Sequence, residues 1–175
     1  QINIFSDAMI PQFAKAAELV HQQDTRFIVQ INHAGPRAID CEDLADVVAR
    51  PLKKNREARM LTGEEIRTIE EAFIAAAVRV QQSGADGVQL HAAHSYLLSR
   101  FIDPLFNTRT DLYGGSVENR FRMTEEIILG IQQACGPDFP IFLKINSDTK
   151  GDDAAYGKDI LWILERCKSL GIELV

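Results

Sequence analysis

The chain of 175 residues is 46% hydrophobic and 25% charged, the balance of an ordinary globular domain able to bury a core without disulfides or metals. That balance excludes disorder, collagen-like repeats and coiled coil. Lys plus Arg number 19 against 25 Asp plus Glu, for a net charge of −6, so the basic excess of a nucleic-acid binder is missing. No apolar run approaches the roughly 20 residues of a membrane span, and residues 1–20 show no basic-then-apolar targeting pattern. Neither nucleic acid nor membrane is expected as a partner. Cys41, Cys135 and Cys167 are scattered, odd in number and form no CxxC pair, so they cannot assemble a zinc or iron–sulfur ligand set. Three reduced thiols in a cytoplasmic protein are expected.

In chain order, residues 11–22 read as a helix with Pro11 in its first turn. Residues 27–32 (FIVQIN) form a short apolar, β-branched strand. After a polar stretch comes a helix from about Glu64 to Gln82, with Thr62 and Glu65 at capping-box spacing. Ile66, Ile69, Phe73, Ala76, Ala77 and Val80 fall three and four apart along it, and Gly84 suits its C-terminal cap. Residues 86–91 (DGVQLH) form the next strand, followed by a long loop. Ser116 caps a helix to about Ala134 with Val117, Phe121, Ile128 and Ile131 inward, and Gly136-Pro137 breaks it. Residues 140–146 (PIFLKIN) make a third strand, 158–169 a further helix, and Ile172–Val175 the opening of a fourth strand.

Repeated strand–helix–strand units imply right-handed crossovers and a parallel sheet. The strand-to-helix loops are long and the helix-to-strand loops short, which suits a (β/α) barrel with its chemistry at the carboxyl ends of the strands. A doubly wound sheet alternates equally well. A full eight-stranded barrel takes about 250 residues, so the expectation is an incomplete (β/α)8 TIM barrel. Residues 1–175 would then form one partial domain, truncated at the C-terminus and at the N-terminus as well.

Three sets of residues could carry chemistry. His91 ends the strand DGVQLH and His94 and Tyr96 follow within one turn; together they could bind a carbonyl or phenolate oxygen and deliver a proton. The alternatives are surface or capping histidines beside a packed tyrosine, or a zinc site that lacks a local third ligand. Gln30, in FIVQIN and followed by His33 and Gly35, could bond a ligand's imide edge or simply a backbone group. Lys144 in PIFLKIN could set positive charge against an anionic cofactor or point to solvent from an edge. Arg109, Asp111, Tyr113, Asn119 and Arg122 read as a structural lock on the long loop, not as catalytic groups. His21 reads as a solvated side chain.

Residues 84–122, GADGVQLHAAHSYLLSRFIDPLFNTRTDLYGGSVENRFR, closely resemble the signature of the old yellow enzyme family of flavin-dependent NAD(P)H oxidoreductases. The resemblance lies in His91-His94-Tyr96, in Pro104 to Ser116, and in Glu118-Asn119-Arg120 with Arg122. Upstream, QINHAGPR resembles the family's Q-[LI]-x-H-A-G-R with a proline inserted before Arg37.

What the resemblance implies is a TIM barrel with FMN at the carboxyl ends of its strands, of which this chain covers roughly the third to sixth strand region. It implies Gln30 on the flavin pyrimidine edge, His91 and His94 on the oxygen of an activated carbonyl or nitro substrate, and Tyr96 as proton donor. Lys144 stands where the family has arginine, near flavin N1 and O2, keeping the charge but losing the planar fork. The implied activity is NAD(P)H-dependent reduction of activated C=C bonds in α,β-unsaturated carbonyl compounds, the partner being a small enone-like molecule. His94, where some members carry Asn, hints at the subgroup that includes dienoyl and enone reductases. Two alternatives stand beside this. One is a non-catalytic piece that binds no FMN by itself and pairs with another copy or a partner along its strand edges. The other is a flavin-free barrel lyase with Lys144 as Schiff-base lysine.

Overall fold

The computed structural model describes residues 3–39, 41–53, 55–147 and 153–174. Helix α1 (Ile10–His21) begins with Pro11 in its first turn, where a missing amide hydrogen costs no helical bond. Strand β1 (Ile28–Ile31) follows. Three short strands, β2 (Ala45–Asp46), β3 (Arg50–Pro51) and β4 (Glu57–Met60), lie in the connection to helix α2 (Gly63–Gln82). Strand β5 (Gly87–Ala92) leads through helix α3 (Leu97–Ile102) to helix α4 (Val117–Cys135). Strand β6 (Ile141–Ile145), helix α5 (Asp153–Ser169) and strand β7 (Glu173–Leu174) complete the order. Val175, expected in the last strand, lies outside the described residues.

The helix ends form where their local chemistry places them. The Glu65 backbone N–H donates to the Thr62 hydroxyl at 3.2 Å, and the Thr62 backbone N–H donates to the Glu65 carboxylate at 2.9 Å. These two bonds satisfy orphan donors reciprocally at the start of α2. Arg59, then Thr62, holds the Glu65 carboxyl down to about 2. Ser116 accepts from the Asn119 backbone N–H at the start of α4. Gly136, with φ of 89°, ends that helix in a conformation that side chains rarely adopt.

Strands β1, β5, β6 and β7 form one parallel sheet in that order. Sequence order and spatial order coincide, with no reversal of direction. Helices α1, α2, α4 and α5 contact one another in the same succession. A doubly wound sheet needs a reversal and helices on both faces; this arrangement is one layer of helices on one face of a sheet, as in a barrel wall. Alternation along the strands makes the two faces chemically different. Val29, Ile31, Val88, Leu90, Ile141 and Leu143 turn towards the helices and are buried with Ile66, Phe73, Ala77, Val80, Phe121, Ile127, Ile128 and Ile131. Gln30, Gln89, His91 and Lys144 occupy the alternate positions.

Four expectations change. The stretch read as polar between β1 and α2 contains a small second sheet, ordered β2-β4-β3. The loop after β5 contains α3, all six residues of which are buried. Of the apolar row on α2, Ile69 and Ala76 are only partly buried, as is Val117 on α4. His21 is not merely solvated. Its Nε2 lies 2.6 Å from Asp86 Oδ2, and the same carboxylate accepts from Arg26 and from the Phe27 backbone N–H. These bonds, the Phe27 N–H first, hold the Asp86 carboxyl well below the usual range. They tie α1 and β1 to the start of β5. Among the described residues, no helix is long and apolar enough to cross a membrane.

Candidate active site

At the carboxyl end of β5, His91, His94 and Tyr96 come together. The His91 and His94 rings meet edge to face with centroids 5.1 Å apart, and the Tyr96 ring centroid is 5.0 Å from that of His91. His91 is buried, His94 exposed and Tyr96 half-buried. Burial first, then His94 and Lys144, pushes the His91 imidazole below the ordinary histidine range. A neutral imidazole carries one N–H and one lone pair, which suits hydrogen bonding to a carbonyl oxygen. His91 Nδ1 is buried without a partner.

The backbone that presents these side chains is strained. His94 and Ser95 both adopt φ of 59°, a left-handed conformation that costs a non-glycine residue about 1–3 kcal/mol. Four successive backbone N–H groups offset that cost by finding acceptors. That of His94 donates to Asn146 Oδ1 at 3.0 Å, and that of Ser95 to Ser99 Oγ at 3.0 Å. Those of Tyr96 and Leu97 donate to the carbonyls of Ala93 and His33 at 3.2 and 3.1 Å. The Arg37 guanidinium lies 5.7 Å from the centroid of the Tyr96 ring.

Gln30 and Lys144 lie on the same sheet face as His91. Gln30 is the ladder partner of Gln89, and its side-chain amide donates to the Gln89 side-chain oxygen. Lys144 is the ladder partner of His91 and is half-buried. Gln30, Asn32 and His33 also line a cavity of about 550 Å³ whose walls include Phe13 and Phe73. All five residues singled out in the sequence therefore sit on one side of the sheet or at the strand end above it. Sequence reading missed Gln89, Asn146 and the supporting part of His33, whose Nδ1 accepts from the Gly35 backbone N–H. Gln89 lies two residues before His91, so strand alternation alone could have found it.

The long loop after α3 is fastened in place. Buried Arg109 donates to the carbonyls of Val47 and Leu61, each at 2.8 Å, and pairs with Asp111. Asn107 donates to the carbonyls of Phe101 and Tyr113. Arg122 donates to the Leu112 carbonyl and to Asn119 Oδ1. A Cβ at Gly114 would lie 2.1 Å from the Arg109 carbonyl oxygen, so only glycine fits there. Deeper in, Arg100 is paired to buried Asp46, which stitches α3 to the small sheet. These bonds lock the long loop against the small sheet and helix α4.

The sequence model of the NADH:flavin oxidoreductase / NADH oxidase family matches residues 1–169. An NADH oxidase of Thermoanaerobacter brockii is 36% identical over 173 residues, covering 94% of this chain and 27% of that protein. An NADPH dehydrogenase of Halalkalibacterium halodurans is 33% identical over 174 residues, covering 99% of this chain and 51% of that protein. The crystal structure of Old Yellow Enzyme from Pichia sp. AKU4542 superposes with a TM-score of 0.83 at 28% identity, over 98% of this chain and 51% of that one. The chain therefore spans about half the length of that dehydrogenase and of that enzyme, and its α/β architecture matches part of the barrel of Old Yellow Enzyme.

Proposed function

The chain belongs to the NADH:flavin oxidoreductase / NADH oxidase family, that of old yellow enzyme, and we propose that it carries the substrate-gripping half of an FMN-dependent NAD(P)H oxidoreductase. The substrates proposed are α,β-unsaturated carbonyl compounds with an activated C=C bond. The observation that carries this reading is the meeting of two imidazoles and a phenol, 5.1 and 5.0 Å between centroids, above the strand face that bears Gln30 and Lys144.

The residues present fit a flavin ring. The carboxamides of Gln30 and Gln89 engage each other and could exchange that bond for a pyrimidine edge. Lys144 adds a cation on the same face, and His91 Nδ1 is buried and unpartnered beside it. When bound, FMN would supply hydride transfer between NAD(P)H and the substrate β-carbon. The chain's own groups then have distinct tasks. His91 and His94 hold the carbonyl oxygen where negative charge develops, and Tyr96 delivers the proton to the α-carbon. We place the four parallel strands as the third to sixth of the family barrel. The location proposed is cytoplasmic.

A second reading is favoured by the four-stranded sheet and the 51% coverage of the halodurans relative: the chain forms the site wall yet binds no FMN alone. A fluorescence titration of FMN with the purified chain separates the two. Saturable quenching that weakens in Lys144→Met and Gln30→Ala supports a competent flavin site. Unquenched flavin at high chain concentration supports the second reading.

A further inference from the structure

We infer that Asn146 is a positioning residue for His94, a role that rests on the reading of the site proposed above. Asn146 follows the last residue of β6, two positions beyond Lys144. Strand alternation therefore gives Lys144 and Asn146 the same face. The ladder pairs Lys144 with His91 and Ile145 with Ala92, so Asn146 stands one step past the final pair, level with the point where the chain leaves β5. There its Oδ1 accepts from the His94 backbone N–H at 3.0 Å. Only the oxygen of the carboxamide can accept, so the contact also fixes which way the amide is turned.

This bond differs from the other three that hold the bend. The acceptor for Tyr96 is the Ala93 carbonyl of the same loop, and the acceptor for Ser95 is Ser99 on α3, which travels with that loop. The acceptor for Leu97 is a main-chain carbonyl, at His33. Asn146 is thus the one side chain among these four that ties the bend to a neighbouring strand, and it does so at the first of two consecutive left-handed residues. Without it, residues 94 and 95 can relax while β5 keeps both of its ladders. The separation of the two imidazoles then ceases to be set, and with it the ability of both to meet one oxygen atom.

The test uses the full chain with added FMN and three variants, Asn146→Ala, Asn146→Asp and His94→Ala. Amide hydrogen exchange reads the tie directly. In Asn146→Ala the His94 amide should exchange roughly tenfold faster, with the Leu90 and Leu143 amides unchanged, and Asn146→Asp should restore protection because a carboxylate still accepts. Unchanged exchange at His94 overturns the proposal. Calorimetric titration with 4-nitrophenolate, an oxyanion probe for the imidazole pair, reads the consequence. Binding should weaken about tenfold in Asn146→Ala, to the level of His94→Ala, with the melting temperature retained. Binding by the parent chain that Asn146→Ala leaves intact overturns the role of Asn146 alone. No binding by the parent chain overturns the reading of the site, and the positioning role falls with it.

Discussion

His91 on β5 and Lys144 on β6 are direct ladder partners, which sets an imidazole beside an ammonium on the sheet face turned away from the helices. The ammonium disfavours protonation of the imidazole. The same pairing places the loop after β5 within reach of the residues that end β6. The candidate site is therefore a product of strand register, and a slip of one residue in either strand would send that strand's side chain into the helix layer.

Replacing Lys144 by methionine should raise the His91 titration midpoint. Burial is the larger cause of its depression and remains, so the midpoint stays below that of an exposed histidine. Imidazole resonances followed by NMR against pH measure this directly. The depression also has a stability sign. A histidine lowered on folding contributes stability that is full above its unfolded value of 6.5 and is lost as pH falls through the folded one. His33, lowered by burial, acts in the same direction.

Glu70 predicts the opposite trend at higher pH. It is buried in α2 with Oε1 unpartnered. Burial first, then Glu126 on α4, pushes its carboxyl up to about 8. Its contribution is full below the unfolded value of 4.5 and is lost as pH rises through the folded value. Urea unfolding at about pH 5 and about pH 9 should show lower stability at the higher pH, and Glu70→Gln should remove most of that difference. A pH dependence untouched by the substitution would contradict the assignment. Tyr113, whose hydroxyl donates to Glu126 and is itself pushed up to about 12, stays protonated throughout.

Arg109→Ala should destabilise the chain by about 2–5 kcal/mol, because the lost guanidinium leaves buried acceptors unsatisfied, while its ion-pair partner Asp111 is exposed and adds little. Those acceptors are the carbonyls of Val47 and Leu61. Arg109→Lys should recover only part of the loss, because one ammonium cannot span both carbonyls and Asp111. Chemical denaturation of the three proteins gives the comparison.

How much of this was readable from sequence depends on the range of the interaction. Thr62 and Glu65 lie three residues apart, and their reciprocal bonds follow from that spacing. Ser116 and Gly136 bound α4 for equally local reasons. Helix α3 escaped because Leu97–Ile102 is short and buried on every side, which leaves no amphipathic period to detect. The two-residue strands β2 and β3 are too short to show alternation. His21 looked solvated because Asp86 is 65 positions away. Of the candidate site, His91, His94, Tyr96, Gln30 and Lys144 stand out in the sequence, because strand ends and polar residues in apolar strands are conspicuous. What supports them does not: the Asn146 tie exists only once β6 lies beside β5.

Tyr96→Phe tests the proposed proton delivery apart from everything else the residue does. Phenylalanine keeps the ring beside His91 and under the Arg37 guanidinium, and the backbone bond to the Ala93 carbonyl is untouched. Only the hydroxyl donor is lost. If the proposed function holds, enone reduction with FMN bound should slow by about 10²- to 10⁴-fold, the usual worth of a positioned acid. Oxidation of NAD(P)H by the same variant should stay within about twofold of the parent, because the step that consumes it takes no proton from Tyr96. Rapid mixing under anaerobic conditions measures the two half-reactions separately. Equal losses in both would show that the ring shapes the site and the hydroxyl does not act as the acid.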